Sequence, residues 1–373
     1  MSTPVITKPG ETKISETLSG AAIRLIDCDV HQLFSDICVL FPYLPRHYVE
    51  HIKDFGPMLP VLGQTNMPGA GARTDLWEES EGNPATLPEV CRTKHLDAYG
   101  VDVAILTGGM GPYSAAVHSN PDYAAAYCRA YNDWTLEHWV ATDSRFRASI
   151  HISPTDPVLA VAEIDRLGSR SEFVQVMMPG GARFPYGNRH YHSIYAACER
   201  HGLPVCVHFG AEGAGTAGPP TGAGYPTYYF EMRMARPQIA MAHVVSLICE
   251  GVFEKFRDLR FLFIEQDTFW VSGLMWQMDS DWKALRDYTP WVKRLPSEYL
   301  RGHIRFGSQP MPDLSRKADL KTYLDWLHGE EVLVFASDFP HWDWDEPSTF
   351  LAGFPDSIRN RVMAGNARDL YGL

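Results

Sequence analysis

Ile23-Arg24-Leu25-Ile26-Asp27-Cys28-Asp29-Val30-His31 opens as an apolar run and closes on three ionisable side chains at alternate positions. The two-residue period of a strand places Asp27, Asp29 and His31 on one face. Further β-rich runs follow at Val103–Leu106, Ala148–Ile152, Phe173–Met178, Pro204–His208, Arg260–Ile264, His303–Phe306 and Val332–Ala336. Several are apolar throughout, as strands buried on both faces must be. Helical patterns lie between them. Asp122–Ala141 repeats Tyr123, Tyr127, Tyr131, Trp134 and Trp139 at near-helical spacing, which reads as core packing. Gln238–Phe256 carries Ile239, Ala242, Val245, Ile248, Val252 and Phe256 on one broad stripe. Strands alternating with helices in this way predict an α/β fold, a (β/α)8 TIM barrel forming a single domain over residues 21–373.

Two stretches exceed a minimal barrel. Residues 41–87, after the first strand, are rich in Pro, Gly and aromatics, and residues 209–237 follow the fifth strand with a glycine-rich opening. The second insertion leaves the carboxyl end of a strand, the face where barrel active sites form, and is expected to act as a lid. Residues 1–20 are polar and read as a flexible tail without the apolar core of a signal peptide. The 373 residues carry 33 basic and 45 acidic side chains, a net charge of -12. No basic block offsets that balance, so neither nucleic acid nor an anionic membrane is an expected partner. The seven cysteines show no CxxC spacing, as expected for free thiols in a cytoplasmic protein.

Chemistry gathers at the strand ends. Strand one delivers Asp29 and His31, strand five ends in His208, and strand six ends in Glu265. Strand eight runs into Ser337-Asp338-Phe339-Pro340-His341-Trp342-Asp343. Each residue alone has an ordinary structural reading, such as a satisfied core histidine or a helix cap. Ionisable groups following buried strands are costly unless paired or metal-bound, and one shared metal site explains all four ends together. No thiolate stands at these positions, which argues against a structural zinc site.

Asp29-Val30-His31, His208-Phe209-Gly210, Ser246–Phe256, Pro296-Ser297-Glu298-Tyr299, Gln309-Pro310, Ser337–Trp342 and Gly365-Asn366-Ala367-Arg368-Asp369-Leu370-Tyr371 together resemble the amidohydrolase-related family. The resemblance covers residues 23 to 373 and implies metal-dependent decarboxylases and hydrolases on a TIM barrel. Departures accompany it. That family usually shows His or Glu at the position of Asp29, and many members show His where Glu265 stands. The bridging lysine that some binuclear relatives carry on strand four has no counterpart in Gln175-Val176-Met177-Met178. A mixed carboxylate and imidazole set suits iron or manganese as well as zinc.

The pattern is similar to a branch of non-haem diiron monooxygenases of secondary metabolism that hydroxylate diterpenoids or an aromatic acid. That resemblance implies two Fe ions, with O2 as co-substrate and a separate reductase as electron donor. Its metal ligands would be Asp29, His31, His208, His243, Glu265, Asp338 and His341. Asp29, His31 and Asp338 would hold one iron and His208, His243 and His341 the other, with Glu265 bridging. His243 reads equally as a polar position on its helix. His341 reads as a ligand, a donor to Asp338 or a proton shuttle.

The alternative expectation is a decarboxylase or hydrolase using zinc or manganese, with Glu265 or His341 as the catalytic proton carrier. For substrate, Tyr228 and Arg233 in the lid and Trp342 beyond strand eight are the expected contacts. Tyr225, Tyr229, Phe230, Phe269 and Trp270 would add apolar walls, and Arg233 and Arg236 could pair with a carboxylate or an acyl carrier's phosphates. An apolar or aromatic acid, an acyl-CoA or a terpenoid fits these residues. Aromatic side chains in the insertions would also suit a homodimer.

Overall fold

The computed structural model describes residues 25–61, 71–79, 83–314 and 316–373. The expected tail at 1–20 and parts of the first insertion, 62–70 and 80–82, lie outside the described residues.

Eight strands form one parallel sheet in sequence order: β1 (Leu25–Val30), β2 (Val101–Leu106), β3 (Phe146–His151), β4 (Phe173–Pro179), β5 (Val205–His208), β6 (Phe261–Ile264), β7 (Ile304–Gly307) and β8 (Leu333–Val334). Hydrogen bonds from Cys28 N–H to Phe335 O at 2.9 Å and from His31 N–H to Phe339 O at 2.8 Å join the last strand back to the first. The result is the expected (β/α)8 barrel. Period two sorts the side chains. Ile26 and Cys28, Val103 and Ile105, and Leu262 and Ile264 meet with Met177, Cys206 and Val334 in one buried cluster inside the ring. The alternate residues, among them Ala104, Leu106, Val205, Val207, Phe261 and Phe263, pack outward under the helices.

The helix Pro121–His138 begins where Asn120 accepts N–H bonds from Asp122 and Tyr123, with Pro121 in the first turn. Its Tyr123, Tyr127, Tyr131 and Trp134 are buried, so that aromatic row is core. The helix expected over Gln238–Phe256 instead spans Tyr229–Cys249. Glu231 accepts the N–H groups of Thr227 and Tyr228 and starts it upstream of Pro237, which the helix absorbs. Gly251, at φ +69°, ends it before the short turn Val252–Lys255. Tyr229 to Arg236 are therefore helical and not part of a flexible lid. The segment before them is tied down as well, with Thr216 N–H on Val117 O at 2.9 Å and Gly218 N–H on Ala182 O at 3.2 Å.

Cys28, Cys91, Cys128, Cys198 and Cys206 are buried free thiols, whereas Cys38 and Cys249 are exposed. Among the described residues no helix is long and apolar enough to cross a membrane. Leu262 is fully buried among the close-packed side chains of the lumen. Leu262→Ala is expected to lower unfolding free energy by about 2–5 kcal/mol, read as a shift of the denaturant midpoint at unchanged slope.

Candidate metal centre

The site begins with an irregularity in β1. Its pairing with β2 shifts register between Asp27 and Val30, as a bulge does. Cys28 faces the lumen, yet so does Asp29: Thr107 donates to Asp29 Oδ1 at 2.6 Å, and His208 Nε2, across the ring, lies 3.4 Å from the same oxygen. Asp27 turns outward, where His95 Nε2 donates to it at 2.6 Å. The expectation that Asp27, Asp29 and His31 share one face is thus corrected, because a bulged residue breaks the two-residue period.

His31 Nδ1–H donates to Gly108 O at 2.7 Å, which turns Nε2 toward Asp338 Oδ1 at 2.8 Å. His208 is set in the same way. Its Nδ1–H donates to Phe209 O at 2.6 Å, and Nε2 has no hydrogen-bond partner. Imidazoles whose outer nitrogen is fixed on a backbone carbonyl and whose inner nitrogen faces the cluster, on a carboxylate for His31 and unpartnered for His208, have the arrangement of metal ligands. Asp338 completes the cluster, and His341 Nδ1–H donates to its Oδ1 at 2.5 Å. Asp29 Oδ2, Asp338 Oδ2 and His208 Nε2 are buried polar atoms without partners. Donor atoms of Asp29, His31 and His208 lie within 4.8 Å of one another, as do those of His31, Glu265, Asp338 and His341. Orphaned acceptors in two donor groupings that share His31 cost folding free energy unless a cation satisfies them, and these residues fit a divalent metal.

The backbone is strained here. Glu265, Asp267 and Asp338 adopt φ of +56°, +58° and +67°, unusual for residues with side chains and concentrated at this mouth. Electrostatics follow from burial. Burial disfavours charge on His31, but Asp29 and Asp338 outweigh it and push its pKa up to about 10. Burial works against charge on Asp338 too, yet His341 and His31 hold its carboxyl well below the usual range. A divalent ion bound by these residues would compete for the same carboxylates and favour neutral His31. Burial, then Asp338, pushes Glu265 up to about 7 against the opposing charge of Arg236, whose Nη1–H is bonded to Glu265 Oε1.

His243 is not brought to the cluster. Its Nδ1 accepts Tyr186 N–H at 3.1 Å and its Nε2–H donates to Gly180 O at 2.8 Å, so neither nitrogen is free. Burial lowers its pKa to about 4, and the ring stacks on Tyr186. Tyr228 stands exposed in the turn before the helix, away from the cavity lining. Arg233 pairs with Asp343 at 2.7 Å and lies 5.2 Å above the Trp342 ring. Trp342, although half exposed, lines a cavity of about 230 Å³ with His31, His208, Tyr229, Glu265 and His341. A larger, open recess of about 600 Å³ near Tyr43 and Glu137 holds none of the cluster.

Sequence reading missed Thr107, which steadies Asp29, and the pairing of Arg236 with Glu265. It also missed His151, which ends β3 as His208 ends β5. His151 is buried with Nε2 unpartnered, and burial followed by the charge of His208 lowers its pKa to about 3. The same strand-end pattern could have marked it.

Residues 26–373 match the family model for amidohydrolases. Among solved structures, the chain is similar to an amidohydrolase from Mycobacterium avium subsp. paratuberculosis, at 20% identity over 95% of this chain and 100% of that one, with a TM-score of 0.70. It is similar to a 2,6-dihydroxybenzoate decarboxylase complexed with 2,6-dihydroxybenzoate, at 19% identity over 94% and 99% of the two chains, TM-score 0.66. It also resembles a 5-carboxyvanillate decarboxylase from Novosphingobium aromaticivorans complexed with manganese and 4-hydroxy-3-methoxy-5-nitrobenzoic acid, at 16% identity over 94% and 97%, TM-score 0.65. At these identities the likeness shows a shared fold. No curated protein matches the chain.

These findings overturn the expected diiron monooxygenase. The similar structures are decarboxylases and an amidohydrolase, lyases and hydrolases and not oxidoreductases. Two Fe ions and O2 have no support, similar decarboxylase structures being complexed with manganese. The geometry supplies a reason: the second iron's set required His243, which is engaged elsewhere, and His31 belongs to both donor groupings. His208→Ala is expected to abolish stoichiometric binding of a divalent metal, whereas His243→Gln retains it. Elemental analysis of the two purified variants checks this.

Proposed function

Because the chain belongs to the amidohydrolase family, we propose that it is a metal-dependent lyase that removes CO2 without oxidation from a small aromatic acid. The observation that carries this reading is the presence of orphaned Asp29, His208 and Asp338 atoms around His31, beside a small cavity walled by Tyr113, Phe209, Tyr229 and Trp342. Its volume of about 230 Å³ falls below the usual range for drug-sized ligands, so it suits a single-ring acid and not a terpenoid or an acyl carrier. Two decarboxylases of hydroxylated or methoxylated benzoates among the similar structures support the same substrate class.

His31, His208, Asp338 and Asp29 would hold manganese or zinc, which supplies Lewis acidity toward the substrate's oxygens when bound. The aromatic walls hold the ring and exclude water. Replacing the carboxylate of the substrate by hydrogen consumes one proton at the ring carbon as CO2 departs. Glu265 Oε2 and His341 Nε2 are the side-chain atoms able to carry that proton, since Arg236 occupies Glu265 Oε1 and Asp338 occupies His341 Nδ1. Arg233, locked to Asp343 and stacked on Trp342, shapes the rim of the cavity.

Chelator treatment followed by dialysis should abolish CO2 release from a panel of hydroxylated benzoates, and manganese or zinc should restore it. Hydrolysis of amides or esters without CO2 release would assign the site to the hydrolases instead. His341→Gln is expected to lower kcat by about 10²–10⁴-fold with metal content unchanged. An undiminished kcat would remove His341 from the proton transfer.

A further inference from the structure

The outward-turned Asp27 takes no part in the cavity, yet it is fully buried and accepts four hydrogen bonds. Oδ1 accepts Asp29 N–H at 3.1 Å and Ser337 N–H at 2.9 Å. Oδ2 accepts Ser337 Oγ–H at 2.5 Å and His95 Nε2–H at 2.6 Å. Ser337 Oγ in turn accepts Phe339 N–H at 3.1 Å. One carboxylate therefore grips the backbone of Asp29 in the first strand and of Ser337 in the last, and through Ser337 it reaches the far side of Asp338. The two segments also touch directly, with Asp338 N–H on Asp29 O at 3.1 Å. Behind the clamp, the His95 ring stacks on Phe339 at 4.6 Å and 13°.

We propose that Asp27 is a positioning residue, which with Ser337 sets the distance between the metal-facing carboxylates Asp29 and Asp338. The inference rests on the metal-site reading above and extends it to groups that touch neither metal nor substrate. Asp29 leaves the strand at a bulge, and Asp338 sits at φ +67°, so neither backbone is held there by regular pairing alone. An anionic acceptor at the junction supplies what the ladder does not. A carboxylate gives four acceptor directions, and all four are used. Two ligands whose backbones slide apart by a few tenths of an ångström lose metal affinity before the barrel loses its fold, because closure also has the bonds from Cys28 and His31.

The test is titration of the full-length protein with Mn(II), following the free-ion EPR signal, alongside thermal melts. Ser337→Ala and Asp27→Ala are expected to weaken Mn(II) binding on the order of 10- to 100-fold. Asp27→Asn should recover most of that loss. Its remaining oxygen still accepts both backbone N–H groups, and His95 can change tautomer to accept from the amide. Leu167→Ala, a buried truncation at the end of the helix Pro157–Leu167, is the control: it should lower Tm with Mn(II) affinity within about twofold. Ser337→Ala keeps the test open if Asp27→Ala does not fold. Variants that melt lower but bind Mn(II) like the unaltered protein would reduce the clamp to a stabilising contact and overturn the inference. An unaltered protein that binds neither Mn(II) nor Zn(II) would overturn the metal-site reading itself.

Discussion

Closure of the barrel between its first and last strands is the constraint on which the rest depends. Asp29 and His31 lie some three hundred positions from Asp338 and His341 in the chain, and only the β8-to-β1 hydrogen bonds bring them together. Without that junction neither donor grouping exists, because each draws on both ends or on the far wall of the ring. The junction is also where the ladder is least regular. β8 has only two paired residues, and the chain continues through Ala336 to Asp338 on single bonds to β1.

Two buried carboxylates within reach of three imidazoles are a poor way to stabilise a fold. Desolvation of Asp29 and Asp338 is offset in part by His31, His208 and His341, but several of their atoms stay unpaired. Hydrophobic residues of similar size would pack this mouth more favourably. The strain at Glu265, Asp267 and Asp338 points the same way, since positive φ at residues with side chains persists only where surroundings enforce it. The cost is intelligible as preorganisation for a cation, with the outer nitrogens of His31 and His208 already fixed on carbonyls.

Glu265 gives the site its particular character. Its partner Arg236 is almost wholly buried and comes from the helix Tyr229–Cys249, so the residues once expected to form a mobile cover instead build the wall. A helix start at Glu231, upstream of a proline, is what moves Arg233 and Arg236 from a loop to a rigid face. That change removes a large, adaptable pocket and leaves a small one with aromatic sides.

Much was legible before any coordinates. Apolar runs alternating with helical stripes determined the barrel, and the ionisable residues after those runs marked Asp29, His31, His208, Glu265 and Asp338, because strand and helix periods are local properties of the chain. What depended on one residue's departure from a period was not legible. The bulge after Asp27 separated it from Asp29, and the proline inside the long helix concealed where that helix begins. Tertiary structure alone decided that His243 spends both nitrogens on Tyr186 and Gly180, that Arg236 engages Glu265, and that the donors gather into two groupings joined at His31. Each of those outcomes is a distance between groups far apart in sequence. Such distances are set by how the ring closes and how helices pack on it, which no local pattern encodes.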